Sequence, residues 1–321
     1  MTNTRDNHFW IGLDIGGTKL LAAAVSNDLE ILDLLKIGTL RDEGPDAVMG
    51  RVLSLCHSLI CKHGQARGVG AGFAGLVDWQ KGNVLSSIIL PGWDGYPIGC
   101  KLSEALNGLP VFVDNDATAA GYGEFLLLGA PSDLNMVLLT IGTGIGGAII
   151  LNGRLYRGAT GTSAEFGNTT IDWQGRKCWC GNRGCLNMLA SGSAISAKAA
   201  ELAEAADYST LKGQPNPIPV EQIKKAARLG DAVAIQALDE GARALGAGVA
   251  NVINIFNPDR VVLTGGVSDL GEAYLDTVIE EAGKRAFSES MAHVKIAFST
   301  LGPEVGALGA AGLIRDHIMN R

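Results

Sequence analysis

Residues 135–151 read NMVLLTIGTGIGGAIIL, and the way this run is taken decides the fold. Gly142, Gly144 and Gly147 match G-x-G-x-x-G, the dinucleotide fingerprint, which requires a helix directly after the glycines. Here Ala148-Ile149-Ile150-Leu151 continues as a strand and turns at Asn152-Gly153, so a Rossmann reading fails. What remains is a strand, a Gly-rich turn carrying a threonine, and a second strand. The design occurs once more, at residues 9–25 (FWIGLDIGGTKLLAAAV). There an apolar strand ends in Asp14, and Gly16-Gly17 and Thr18-Lys19 lead into another strand. Two hairpins of one design, one in each half of the chain, predict two related domains that grip a polyphosphate from both sides. The backbone N–H groups of such turns form an anion-binding nest, and Asp14 stands where a hydrated Mg²⁺ would sit. A plain hairpin turn uses the same residue types for geometry alone.

Working outward, residues 109–124 (LPVFVDNDATAAGYGE) read as a short strand to Asp114, then Asn115 and Asp116, then a helix from about Ala117. A carboxylate at such a junction serves as a helix cap or as a general base. Two carboxylates and an amide within three residues exceed what a cap needs, so one caps while another reacts, with Asn115 fixing a substrate. Residues 158–187 add Glu165 in a Gly-rich turn, the amides Asn168 and Asn187, and the thiols Cys178, Cys180 and Cys185. Alone, this stretch is either a structural knuckle or a site.

Residues 45–63 have helix-spaced Val48, Val52, Leu55 and Leu59. Residues 68–77 return to a strand, whose Gly72 and Gly75 suit close approach to a ligand. Trp93, in a Leu-Pro-Gly-Trp loop, is a packing residue or a stacking plate. Helices are expected over 191–206 and 220–256, with a Pro-rich insert between them. Residues 260–267 (RVVLTGGV) form a strand running into Gly265-Gly266, where a flat purine can lie against the backbone, and 306–321 form a last helix.

Composition sets limits on the class of protein. A chain of 321 residues accommodates two domains, and 47% apolar with 18% charged residues is ordinary for a globular enzyme. The net charge of −7, without a basic run, argues against nucleic acid or an anionic membrane surface as partner. No apolar run approaches the length of a membrane span, and the N-terminus has no signal-peptide pattern. Six cysteines without a secretion signal favour a reducing compartment, with clustered thiols serving a metal. The expected location is cytoplasmic.

At this point the motifs resemble a known family. DIGGTK, NDA, TIGTGIGG, G-x-x-G-x-x-x-E-F-G, C-x-C-G-x-x-G-C and LTGG stand in the order found in the ROK family of sugar kinases and sugar-responsive repressors, across residues 11–310. The resemblance implies an α/β protein with the two-domain actin-like/RNase H-like ATPase fold and a ligand cleft between the domains. Residues 1–117, completed by a C-terminal helix at about 305–321, would form the smaller domain, and residues 118–304 the larger. The repressor branch carries an N-terminal helix-turn-helix; with about ten residues before the first strand, the kinase branch fits.

Carried over residue by residue, the resemblance implies a first phosphate site of Asp14, Gly16, Gly17, Thr18 and Lys19. Gly142, Thr143 and Gly144 would form the second, and Gly265 and Gly266 would face the adenosine. Asp116 would be the base on the sugar 6-hydroxyl. Asn115 and Glu165 would bind ring hydroxyls, with Gly75, Asn168 and Asn187 lining the same substrate site. Cys178, Cys180 and Cys185 would hold structural zinc, ATP and Mg²⁺ would be the cofactors, and the chain would form a homodimer. Three departures stand out: Asn168 replaces the His of E-x-G-H, Asn187 replaces the Glu of G-C-x-E, and Ile89 replaces the Asn of N-L-P-G-W.

The replaced His and Glu both meet the sugar near C1 and C2 in that family. A site built to pair a hydroxyl rejects an analogue lacking it by up to about 10⁴–10⁵. The expected substrate is therefore a sugar altered at C1 or C2, or a cyclitol. The replaced His is also a zinc ligand in the family, which leaves three thiols where structural zinc takes four ligands. Water, Asp172 or a His brought in by folding is the open choice for the fourth, and three buried thiols without metal remain the alternative. A sugar sensor without turnover and an actin-like ATPase without a sugar substrate are the rival functions.

Overall fold

In the computed structural model, the first hairpin pairs β1 (Phe9–Ile15) antiparallel with β2 (Lys19–Val25), placing Asp14 opposite Leu21. Both strands are buried almost throughout, as their unbroken apolar runs require. β3 (Ile31–Gly38) joins β2 antiparallel and is largely exposed, as an edge strand. α1 (Pro45–His63) turns Val48, Val52, Leu55 and Leu59 into the core, with Pro45 at its first turn where no N–H is needed.

β4 (Ala66–Phe73) lies parallel to β1. The single strand expected over 68–77 is broken after Phe73, and β5 (Leu76–Asp78) pairs instead with β6 (Asn83–Ser86). After α2 (Ile98–Ala105), β7 (Val111–Asn115) lies parallel to β4 and runs directly into α3 (Asp116–Leu127). The sheet order is β3-β2-β1-β4-β7.

β8 (Met136–Ile141) and β9 (Ile145–Leu151) flank the second Gly-rich turn, and β10 (Arg154–Leu155) follows. Four helices come next: α4 (Asn187–Ala190), α5 (Gly192–Ala205), α6 (Val220–Arg228) and α7 (Ala232–Phe256). The helix expected over 220–256 is interrupted because Asp231 starts a new one. Its carboxylate accepts from the N–H groups of Val233 and Ala234, capping α7. β11 (Arg260–Gly265), α8 (Glu272–Gly283), α9 (Ser288–His293) and β12 (Lys295–Phe298) complete this part. The order β10-β9-β8-β11-β12 repeats the plan of the first sheet. In each, the first strand of a hairpin is central, the third strand extends the hairpin antiparallel to its second, and the fourth joins the first in parallel.

α10 (Val305–Met319) packs on β1, β4 and α3. Gly12 and Gly70 make that approach possible: a Cβ at either would overlap the carbonyl of Ala307 or Ala310. The described residues are 8–266, 268–302 and 304–319. The leader-free reading of residues 1–7, Val267 at the end of the LTGGV run and the last two residues of the expected C-terminal helix lie outside them. The chain divides into two compact units, Met1–Asp133 with Ala148–Ser163 and Leu301–Arg321, and Leu134–Gly147 with Ala164–Thr300. The division at 133/134 falls later than the expected 117/118 because α3 packs closely on α10 and β4 and stays with the first unit. Among the described residues, no helix is long and apolar enough to cross a membrane.

Candidate functional site

In the first unit, the candidate residues gather at the carboxyl ends of parallel strands, the usual ligand edge of an open α/β sheet. Register places Asp14 beside Gly72 and Gly72 beside Asp114; one step on, Ile15, Phe73 and Asn115 align. Asp14 is the penultimate residue of buried β1, and burial raises its carboxyl from 3.8 to about 6, against the opposing pull of Lys19. The Gly16-Gly17 turn is closed by Gly16 N–H donating to the Lys19 carbonyl, and Thr39 Oγ1 donates to the Gly16 carbonyl at 2.6 Å. Thr18 is exposed at the tip of the turn. Ile89 lies on Gly17, so that any Cβ there would overlap it.

Asn115 is the residue that caps α3: its Oδ1 accepts from Thr118 N–H at 3.0 Å. Its Nδ2 donates to the Gly75 carbonyl and to Asp116 Oδ1, both at 3.0 Å. The same Asp116 oxygen accepts from Ala117 N–H at 2.9 Å, so its carboxylate is aimed by two donors. Gly72 and Gly75, expected to make room for a ligand, make room for the chain. A Cβ at Gly72 would lie 3.2 Å from the Asp116 Cα, and one at Gly75 would lie 2.6 Å from the Ser86 carbonyl oxygen. Trp93 is fully buried against Phe73 and Tyr96, which makes it a packing residue.

In the second unit, β8 and β11 lie parallel with Ile141 beside Gly265. This sets the turn at Gly142, Thr143 and Gly144 next to the one at Gly265 and Gly266. Gly142 and Thr143 are exposed, and so are Gly265 and Gly266. Gly265 has φ 93°, and a Cβ there would stand 2.5 Å from the Ile141 carbonyl oxygen. The N-terminus of α5 abuts the first of these turns, with Gly192 N–H donating to the Gly142 carbonyl at 2.8 Å and Ser191 capping the helix. Helix N-termini and glycine nests of this kind favour phosphate.

Glu165 is half-buried, which raises its carboxyl above the usual range. Ala164 before it has φ 67°, a left-handed conformation uncommon for a residue with a side chain. Asn168 Nδ2 donates to Glu165 Oε2 at 3.3 Å. Asn187 is only 4% exposed, its Nδ2 donating to Asn168 Oδ1 at 2.8 Å and its Oδ1 accepting from Ile145 N–H at 2.6 Å. Asn187, expected as a substrate contact, has both ends of its amide engaged by these partners.

Cys178, Cys180 and Cys185 bring their sulfurs within 4.8 Å of one another, with Cys180 and Cys185 at 3.6 Å. That separation is close to the ~3.8 Å edge of a tetrahedron with Zn–S bonds of about 2.3 Å. Among the described residues neither Asp172 nor a histidine joins the group. Three thiolates fit zinc with water as the fourth ligand. Burial, reinforced by the other two sulfurs, pushes the Cys185 thiol up to about 12, and a bound cation would reverse that.

The sequence does not reveal the partner of Asp114. This buried carboxylate is met by Arg157 Nε at 2.8 Å, and the guanidinium lies over the rings of Trp79 and Phe112. Its own burial raises Asp114 while Arg157 opposes the rise.

The ROK family model matches residues 10–317. The chain is 35% identical to the glucokinase of Streptomyces coelicolor over 95% of its length and 97% of that protein. It is 29% identical to the xylose repressor of Bacillus subtilis over 97% of its length and 78% of the repressor. The crystal structure of a ROK glucokinase from Streptomyces griseus in complex with glucose and AMPPNP superposes with a TM-score of 0.84, at 34% identity, covering 95% of this chain and 98% of that one. With its actin-like ATPase fold and a family match over nearly its whole length, the chain belongs to the ROK family.

Proposed function

We propose that this ROK chain, an ATP-dependent sugar kinase, transfers the γ-phosphate of Mg·ATP to the 6-hydroxyl of a hexose or hexose-like substrate, with Asp116 as general base. The observation that carries the reading is the aimed Asp116 carboxylate, held by Asn115 Nδ2 and Ala117 N–H at the carboxyl end of β7. Phosphoryl transfer asks the protein mainly for alignment and charge neutralisation. In this reading Asp116 accepts the hydroxyl proton as the new O–P bond forms, and the bond from the γ-phosphorus to the β-phosphate oxygen breaks to release ADP.

Asp14 is the residue that would hold Mg²⁺, directly or through its water shell, because a cation offsets the cost of a buried carboxylate. The ion, when bound, neutralises phosphate charge. The turns at Gly16-Gly17, with Thr18 and Lys19, and at Gly142–Gly144 are assigned to the phosphates, and Gly265-Gly266 to the adenosine. Glu165 and Asn168 are assigned to ring hydroxyls, with Asn115 and Gly75 supporting the reacting end. The neutral Asn168 in the Glu165 turn supports a substrate altered at C1 or C2, a cyclitol included. Structural zinc on Cys178, Cys180 and Cys185 and a homodimer belong to the same reading; light scattering of the purified protein tests the second.

ADP release from Mg·ATP across glucose, mannose, N-acetylhexosamines, β-glucosides and cyclitols tests the proposal, with ³¹P NMR to locate the phosphate on the product. Sugar-dependent ADP release is expected, glucose being a poorer substrate than the best of the panel. The match to a xylose repressor favours one rival, a sugar sensor. Sugars that raise the melting temperature without releasing ADP would replace the kinase with that sensor.

A further inference from the structure

Asn187, Asn168 and Glu165 form a hydrogen-bonded chain whose direction is imposed by the backbone. Ile145 N–H can only donate, so the Asn187 atom 2.6 Å away must be its carbonyl oxygen. That fixes the amide: Nδ2 of Asn187 faces Asn168 Oδ1 at 2.8 Å. Asn168 must then turn its own Nδ2 to Glu165 Oε2, at 3.3 Å. Every step donates toward the carboxylate. Turning either amide over would set oxygen against oxygen, and in a buried network that is costly.

Asn187 is tied to the Gly-rich turn in two further ways. Its carbonyl accepts from Ser191 Oγ at 2.6 Å, and Ser191 caps the helix whose Gly192 N–H holds the Gly142 carbonyl. Its Oδ1 sits 2.5 Å from where a Cβ of Gly167 would be, so that glycine gives way to this side chain, and 3.4 Å from one at Gly144, in van der Waals contact. One buried amide thus touches the turn assigned to phosphate and the turn that carries Glu165.

We infer that Asn187 and Asn168 act as a positioning relay, setting the Glu165 carboxylate from the backbone of the Gly142–Ile145 turn so that nucleotide and sugar binding are coupled. The inference rests on the kinase reading above, in which that turn takes phosphate and Glu165 takes a sugar hydroxyl. Order imposed on the turn by a nucleotide is passed to Glu165 as a fixed orientation. Asn187 itself is a positioning residue and does not touch the sugar.

The test is Asn187→Asp, a change of nearly equal size. A carboxylate still accepts from Ile145 N–H but donates nothing to Asn168. The Asn168 amide then turns to serve Asp and presents its oxygen to Glu165. The sugar dissociation constant is measured by calorimetry with and without AMPPNP, using the best ligand of the panel, beside the AMPPNP dissociation constant without sugar and the KM for sugar. In the wild type AMPPNP is expected to tighten sugar binding about fivefold or more, within the usual range of site coupling. In Asn187→Asp the enhancement is expected to fall below about twofold and the sugar KM to rise about tenfold, while the AMPPNP dissociation constant measured without sugar stays within about twofold.

Asn168→Asp provides a second variant at a half-buried position. It keeps the Asn187 and Ile145 contacts, sets a carboxylate against Glu165, and is expected to show the same split. Unchanged coupling in folded variants, or equal losses for sugar and nucleotide, would overturn the relay while leaving the kinase reading standing. A wild-type protein that binds nucleotide but no sugar would remove the kinase reading, and the relay with it.

Discussion

Asp114 Oδ2 and Arg157 Nε meet at 2.8 Å in an ion pair whose carboxylate side chain is 2% exposed and whose guanidinium is 18% exposed. The pair fastens the segment after β10 to β7, two residues before Asp116. Removing one partner of a buried pair leaves a charge uncompensated, typically at a cost of about 3–5 kcal/mol. Arg157→Ala is expected to lose stability on that scale, and also the packing of the guanidinium on Trp79 and Phe112. Arg157→Ala combined with Asp114→Leu should recover part of the loss. Chemical denaturation of the single and double variants checks both.

The buried carboxyl of Asp14 gives a prediction of opposite sign. Its acidity is weakened from 3.8 to about 6, so the fold prefers the neutral form. Its contribution is fully present below the unfolded value of 3.8 and is lost as pH rises through 6. A rise of that size is worth at most about 3 kcal/mol. Asp14→Asn is expected to be more stable than the wild type above pH 6, by up to that amount, with the gap closing toward pH 4. Turnover should fall in the same variant. Melting curves across this pH range, with a turnover assay at neutral pH, test the trade; a constant gap contradicts it.

Two glycines with different surroundings should respond in opposite ways. Gly70→Ala forces a methyl group onto the Ala310 carbonyl of α10 and is expected to cost about 1–3 kcal/mol or more. Gly50, inside α1, has nothing within 4 Å of its would-be Cβ. Gly50→Ala is expected to add roughly 0.5–1 kcal/mol through helix propensity. Urea denaturation of the two variants is the check.

The repeated hairpin was legible because a failed fingerprint is a local fact: the apolar run after Gly147 ends at Asn152-Gly153, too short for the helix the fingerprint needs. The five-stranded order common to both sheets is built on that hairpin. That one of Asp114, Asn115 and Asp116 caps the helix was legible because a strand-to-helix junction needs an acceptor for its first N–H groups; that the cap is Asn115, expected on the substrate, was not. What stayed hidden depends on contacts distant in sequence. Nothing near Asp114 announces Arg157, and nothing near Asn187 announces Ile145 N–H. Gly72 looked like a ligand-facing glycine because a missing Cβ reads the same whether a ligand or the start of α3 takes the space. The break at Asp231 was legible in principle, since Gly230-Asp231 is a stop and an N-cap in succession, but the apolar periodicity on both sides concealed it.

The thiol cluster predicts a metal. Protein purified without chelator is expected to carry about one zinc per chain. Cys185→Ser, at a fully buried position, should release it and lower the melting temperature. Zinc-free protein that melts unchanged after chelation would make the three cysteines a packing cluster.

The role of Asp116 as general base is tested by comparing wild type and Asp116→Ala with the accepted sugar, measuring ADP formation and sugar binding on the same samples. Loss of a general base typically costs about 10²–10⁴ in rate. A fall in kcat of at least that order is expected, with the sugar dissociation constant changed by little. Near-wild-type turnover in Asp116→Ala would contradict it.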